Sequence, residues 1–248
     1  IDAYVSVLKY LEKVNQTPEL KLVEITTYSK IGKILMIGGR YSEAKNVFEK
    51  ALSAAQKENR DADIAKISLR LGMLDYNAGD FAGANEKFVL ALKAGKKHKD
   101  YETVAQCHLN IGLIYKASGQ IDKTLEEYQS ALDVYEKTSN DKGKADTFNN
   151  IGNIYHLLLK IDECLTYFNQ AKELYEKLED SAGMAQIYNN LGTIYNQKRE
   201  AKTAIEYFNK SLAIEQEIGN EKGKAVALSN LGSSYTILKE YPEAEKYF

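Results

Sequence analysis

The chain has 248 residues, 44% hydrophobic and 27% charged, the balance of an ordinary water-soluble protein. Its 33 Lys and Arg against 35 Asp and Glu leave a formal net charge of −2, which supplies none of the strong positive field that non-specific nucleic-acid binding requires. Pro18 and Pro242 are the only prolines, Gly, Ser and Pro never cluster into a linker, and no apolar run is long enough to cross a bilayer, so the sequence reads as one continuous body not inserted in a membrane.

In chain order, residues 1–18 open with IDAYVSVLKYLEKV, where charges interrupt the apolar residues and no signal-peptide core forms. This stretch fits the second helix of a repeat whose first helix is missing. Thr17-Pro18 then starts a helix, with the proline in the first turn, where it removes no hydrogen bond. An apolar stripe through Tyr28, Ile31, Gly32 and Leu35 has helical spacing, and a second amphipathic stretch carries Ala44 and Phe48. This couplet then recurs along the chain, and such internal periodicity decides the fold before any local motif does. Gly32, Gly72, Gly112, Gly152, Gly192 and Gly232 recur with a constant period of 40, each preceded by Ile or Leu. Sixteen residues after each comes a ring, at Phe48, Phe88, Tyr128, Phe168, Phe208 and Phe248, and twelve after comes Ala44, Ala84, Thr124, Cys164, Ala204 or Ala244.

Each repeat is therefore a helix A holding the glycine, a short turn such as AsnAlaGlyAsp at 77–80, and a helix B holding the ring. The repeats fall at about 19–58, 59–98, 99–138, 139–178, 179–218 and 219–248, the last truncated within helix B. Asp100, Asn140, Asp180 and Asn220 recur at the position that caps a helix A, and Pro242 lies in the first turn of the last helix B. Both ends look cut, because a solenoid needs polar capping repeats; the natural protein is expected to be longer. A glycine inside a helix costs about 1 kcal/mol relative to alanine. Six in register imply close helix packing, with the small residue twelve positions later as the expected counterpart.

NNIGNIY at 149–155, NNLGTIY at 189–195 and SNLGSSY at 229–235, each followed by small and aromatic residues in helix B, resemble tetratricopeptide repeats over nearly the whole chain. The period of 40 and the connections at 140–145 and 220–225 are similar to the longer-repeat branch, which includes Pins-type adaptors, kinesin light chains and bacterial Rap-type regulators. The resemblance implies an all-α, right-handed superhelical solenoid of antiparallel helix pairs with the A helices lining a concave groove. Departures are the aromatic slot four before the glycine, filled by Tyr28, Ser68, His108, Phe148, Tyr188 and Leu228, and Leu35 and Asp75 where later repeats carry Tyr.

Function is expected on the unpacked face of helix A. In later repeats this face is amide-rich: Asn110, Asn150, Asn190 and Asn230 recur once per repeat, with Asn149 and Asn189 beside them and Asn153, Thr193 and Ser233 one position past the glycine. An amide both donates and accepts, so this ladder suits an extended peptide backbone in the groove; equally, it suits hydrogen bonds that join one repeat to the next. In earlier repeats the same face carries Lys30, Lys33 and Arg70 near Met73, Leu109 and Leu113, a set that fits an acidic or phosphorylated group beside an apolar anchor, or plain solvated surface.

Little points to catalysis. His98, His108 and His156 fall in different structural roles without ligand-like spacing to Cys, Ser or carboxylates. His108 sits in the core aromatic slot, His156 on the groove face and His98 at a helix end. Cys164 fills the small-residue slot, Cys107 turns away from His108, and no metal site, disulfide, phosphate-binding loop or cofactor is implied. Glu173 and Lys177 have the i,i+4 spacing of a solvated outer face. The expected function is a non-catalytic scaffold holding a protein or peptide, as part of a larger bacterial signalling protein in the cytoplasm, or in the periplasm if it is the sensor of a membrane receptor. The alternative is a structural module that self-associates through its ends or groove.

Overall fold

A computed structural model describes residues 6, 7, 9, 10 and 17–247. The helix B expected over residues 1–18 therefore falls mostly outside the described residues, and the ring expected at Phe248 lies outside them. From Pro18 onward, helix follows helix: α1 (Pro18–Ile37), α2 (Tyr41–Lys57), α3 (Asp61–Asn77), α4 (Phe81–His98), α5 (Tyr101–Ala117), α6 (Ile121–Lys137), α7 (Asp141–Leu157), α8 (Ile161–Lys177), α9 (Ser181–Gln197), α10 (Ala201–Glu217), α11 (Glu221–Ile237) and α12 (Tyr241–Ala244), with a final 3-10 turn at Glu245–Tyr247. Odd-numbered helices are the A helices and even-numbered ones the B helices. The chain divides into two compact units, Ile1–Val134 and Tyr135–Phe248.

The caps fall where short acceptor side chains predict them. Asp100, Asn140, Asp180 and Asn220 each accept a hydrogen bond from the backbone N–H three residues on, satisfying amides that the first helical turn leaves free. Asp80 caps α4 in the same way, through Gly83 N–H at 2.9 Å. Pro18 and Pro242 stand in first turns. Helix exits are equally regular. Residues 39, 59, 79, 99, 119, 139, 159, 179, 199, 219 and 239 all have positive φ. The next residue's N–H reaches back five positions in each case, as in Arg40 to Leu35 O and Lys160 to Tyr155 O, both 2.9 Å. This is the Schellman closure, which favours glycine at the left-handed position. Four of the eleven are glycine; Leu159, at φ 59°, is the one bulky apolar residue among the rest.

In the first unit, Ile31, Leu35, Phe48, Leu52, Ile64, Ile67, Leu71 and Leu74 form one core cluster, and Phe88, Ala91, Cys107 and Ile111 belong to the next. A Cβ built on Gly112 would lie 2.6 Å from the Tyr128 ring, and burial pushes the Tyr128 hydroxyl up to about 12. Asp75, buried where later repeats carry Tyr, is held by Lys45 Nζ at 2.6 Å. That ion pair explains how a charge occupies this slot.

In the second unit, Phe168, Tyr175, Ile187, Leu191 and Ile194 pack together, followed by Ala204, Phe208 and Leu231. A Cβ on Gly152 would meet the Phe168 ring at 2.5 Å. The glycine thus makes room for the ring sixteen residues on, and the small residue at twelve, expected as its counterpart, is not its nearest neighbour. The repeated tyrosines stack in pairs, Tyr155 on Tyr167 and Tyr195 on Tyr207, each at 5.3 Å between centroids. Glu173 and Lys177 do not pair as their spacing predicts: Lys177 instead reaches Asp141 on α7 at 2.6 Å, and Glu176 takes Lys172.

Candidate functional site

In the first unit the basic residues singled out on helix A do come together. Arg70 on α3 is the main cause that holds the Lys33 ammonium below its ordinary value, followed by burial and by the charges of Lys66 and Lys30. Arg70 is half-buried, which lowers its own guanidinium value. Lys66 is 3.8 Å from Asp100. Lys30, Lys33, Lys66 and Arg70 are thus four cations on two neighbouring A helices, with Met73 exposed one turn beyond Arg70. Asn110 turns back on its own helix, where Nδ2 donates to Gln106 O at 2.7 Å, while Leu109 and Leu113 are half-buried.

In the second unit the asparagine ladder is interlocked. Asn190 Nδ2 donates to Asn149 Oδ1 at 2.9 Å and Asn230 Nδ2 donates to Asn189 Oδ1 at 2.6 Å. Each bond joins an A helix to the A helix of the next repeat, so these amides hold repeats together. Asn149 is only 3% exposed; Asn150, Asn153, Asn189, Asn190 and Asn230 are half-buried. A donor that has one bond still leaves the amide's carbonyl oxygen for a ligand, so the two roles coexist at Asn190 and Asn230.

Beside this ladder lies a cleft of about 650 Å³. Thr193, Asn230 and Ser233, from the expected groove face, line one part of it together with Asn196. Asn196 Nδ2 is fixed by Ser234 Oγ at 2.8 Å. The apolar part comes from Leu159, Ile161 and Ile237. Leu157, Leu158 and Leu159 are 60%, 39% and 74% exposed, three consecutive leucines at a turn whose last position, Leu159 here, is Gly39, Gly79, Gly119, Arg199 or Lys239 at the exit of the other A helices. Periodicity misses them, because a turn residue belongs to neither helical stripe. The available signal was compositional, namely HisLeuLeuLeuLys at 156–160 against AsnAlaGlyAsp at 77–80.

The histidines and cysteines take quiet positions. His108 Nδ1 lies 2.7 Å from Glu127 Oε2 on α6, so the slot is a polar bridge between helices A and B, and a carboxylate from another helix does meet this histidine. His156 is half-buried on α7 and His98 ends α4, exposed. Burial pushes the Cys107 and Cys164 thiols up to about 12, and both are free. Among the described residues, no group of three or more His, Cys, Asp and Glu is placed to hold a metal ion.

These observations define an all-α solenoid of antiparallel helix pairs with a polar and apolar cleft on its A helices. The tetratricopeptide repeat model matches residues 103–177, 143–217 and 183–248, and a second tetratricopeptide model matches 25–58; the chain belongs to the tetratricopeptide repeat family. No curated protein matches it in sequence. Among solved structures, it is similar to apo RapI, at TM-score 0.78 and 16% identity over 99% of this chain and 68% of that one. It is also similar to BtubC (BKLC) from P. vanneervenii, at 0.73 and 21% over 84% and 87%. A Rap protein complexed with competence and sporulation factor matches at 0.72 and 15% over 99% and 77%. At these identities the likeness concerns the fold.

Proposed function

We propose that the protein is a non-catalytic signalling scaffold that holds an extended segment of a partner protein or peptide along its A helices. The observation that carries this reading is the cleft of about 650 Å³, lined by the polar residues Asn230, Asn196, Thr193 and Ser233 together with an apolar lip of the exposed Leu159 and the half-buried Ile237. Polar groups of this kind pair with a peptide backbone, and the apolar lip takes a side chain. Asn149, Asn150, Asn153, Asn189 and Asn190 extend the amide surface, and Lys30, Lys33 and Arg70 add an anion-accepting patch in the first unit. A structurally similar Rap protein has been seen in complex with a factor, which supports the same use of the fold. No described helix is long and apolar enough to cross a membrane, and the scaffold is proposed to work in the cytoplasm.

The test is selection of extended peptides from a random library, followed by fluorescence anisotropy with the parent and Ser233→Arg. Ser233 is exposed on the cleft wall, so an arginine there blocks the cleft without entering the core. Selected peptides are expected to bind the parent and to lose at least roughly tenfold with the variant. Peptides that bind both equally place recognition elsewhere and overturn the reading. Self-association that excludes peptide, seen by light scattering, overturns it in favour of an assembly role.

A further inference from the structure

A second cavity, of about 380 Å³, opens in the later unit around Glu215 on α10. Its wall includes Gln186 and Asn189 of α9, Ser211 of α10, and Asn220 and Lys222 at the start of α11. Glu215 is 9% exposed, and its Oε2 is buried with no hydrogen-bond partner.

The repeats show what normally fills this space. One and two repeats before Glu215, the equivalent residues are Tyr175 and Tyr135, both buried, whose rings lie on Gly183 and Gly143 as the Glu215 carboxyl lies on Gly223. In the preceding repeat the Tyr175 hydroxyl donates to Asp146 Oδ1 at 2.6 Å. Lys142 Nζ sits 4.7 Å from the centre of the Tyr175 ring, 3.0 Å from Asp146 and in contact with Asp180. That site is therefore complete, with an ammonium group, two carboxylates and an aromatic wall. One repeat on, each member has changed: Lys142 becomes Ala182, Asp146 becomes Gln186, Asp180 becomes Asn220 and Tyr175 becomes Glu215. Truncation of the lysine and tyrosine opens the cavity. The negative charge has moved from its rim to its floor.

A carboxylate removed from water requires a counter-charge or several donors. The first turn of α11 favours an anion at Gly223 through its free amides, but Asn220 already takes the Gly223 N–H at 3.2 Å. Ser211 Oγ donates to Ala185 O at 2.9 Å, so the hydroxyl on the wall is also committed. Lys222 lines the cavity yet leaves Oε2 unpaired. We infer that the Glu215 cavity is a binding site for an alkylammonium or guanidinium group, supplied by a lysine or arginine side chain of a bound partner. Such a ligand would stand where Lys142 stands in the preceding repeat, with Gln186 and Asn189 as acceptors for its remaining N–H groups. The inference relies on the scaffold reading only for the source of the cation; the cavity itself is tested without any peptide.

The probes are n-butylammonium and ethylguanidinium, with n-butanol as the neutral control, titrated into amide-labelled protein and followed by NMR at Gln186, Ser211 and Gly223. Saturable shifts at these amides are expected for the cations and not for butanol. Glu215→Gln, which keeps the shape, is expected to weaken binding at least tenfold. Glu215→Tyr, which restores the ring of the neighbouring repeats, is expected to abolish it while melting no lower than the parent; this keeps the test valid if Glu215→Gln folds poorly. Absence of saturable shifts in the parent, or equal binding of cation and alcohol, overturns the proposal. So does cation binding that survives in Glu215→Tyr. Ser233→Arg leaves these small-probe shifts unchanged, so a failure here and a failure of the cleft are read separately.

Discussion

Leu159→Gly separates stability from binding at one position. Leu159 closes α7 with φ 59°, a conformation that costs a side-chain-bearing residue about 1–2 kcal/mol, and glycine relieves that strain. Glycine also gives the unfolded chain more freedom, which offsets about 0.4–1 kcal/mol. The side chain is 74% exposed, so its loss removes little buried area from the folded protein. The net expectation is a gain of roughly 0.5–1 kcal/mol, or a rise in melting temperature of about 1–4 °C for a chain of this size. Binding should move the other way. If a partner covers Leu159 in the cleft, deleting the side chain removes about 1.5–3 kcal/mol of apolar burial, a loss of roughly 10- to 100-fold in affinity. Thermal unfolding by circular dichroism and anisotropy with a selected peptide measure both arms on the same sample. A variant that melts lower refutes the strain argument; one that melts higher but binds as tightly as the parent refutes the role of the leucine lip.

Gly152→Leu should destabilise by about 1–3 kcal/mol or more, because a Cβ alone would stand 2.5 Å from the Phe168 ring. Asn153→Ala, on the half-buried face next to it, should change stability by about 0.5 kcal/mol or less, and equal melting of the two would sink the packing role. Asn149→Ala should cost about 1 kcal/mol through the lost bond from Asn190, and a double-mutant cycle with Asn190→Ala should show coupling of at least about 0.5 kcal/mol; additive losses would mean that the ladder joins nothing. Lys144 and Lys177 hold the Asp141 carboxyl down at about 2 from its ordinary 3.8. A depressed carboxylate contributes stability that is full above its unfolded value and is lost as pH falls through its folded value. Asp141→Asn should therefore flatten the acid limb of the stability profile between about pH 4 and 2, and an unchanged limb in urea titrations would contradict the pairing.

The helix pairs were legible because two independent periodicities agree: Gly152 with Ile151 marks helix A, Phe168 marks helix B, and Asn140 and Asp180 stop and start the chain between them. Tertiary choices among equivalent partners were less visible. Lys177 has Glu173 one turn away on its own helix but goes to Asp141, since α7 brings a carboxylate within 2.6 Å. His108 reads as a core ring by its slot, yet Glu127 reaches it from α6, a pairing that no short-range pattern encodes. Thr193, Asn230 and Ser233, read from the sequence as one face, do line one cleft, whereas its apolar lip was not legible because Leu159 lies outside both helical stripes. Asn149 and Asn189 showed their spacing but not their direction; that each accepts from an asparagine of the following repeat depends on how successive A helices lie side by side.

The positive-φ residues have a meaning for how such a chain can change in length. They recur at the exit of A and B helices alike, so the backbone repeats twice as often as the side chains. Adding one helix with its turn would preserve every closure of the backbone. It would also exchange the two roles downstream, setting ring against ring and glycine against glycine, with voids at one interface and collisions at the other. The turns alone would accept growth by a single helix, but the core accepts only a pair. The pairing of Gly152 with Phe168 thus acts as a parity rule: segments can be gained, lost or recombined only in whole helix pairs, and chimaeras joined at Leu159 or Glu179 must keep the order of A and B.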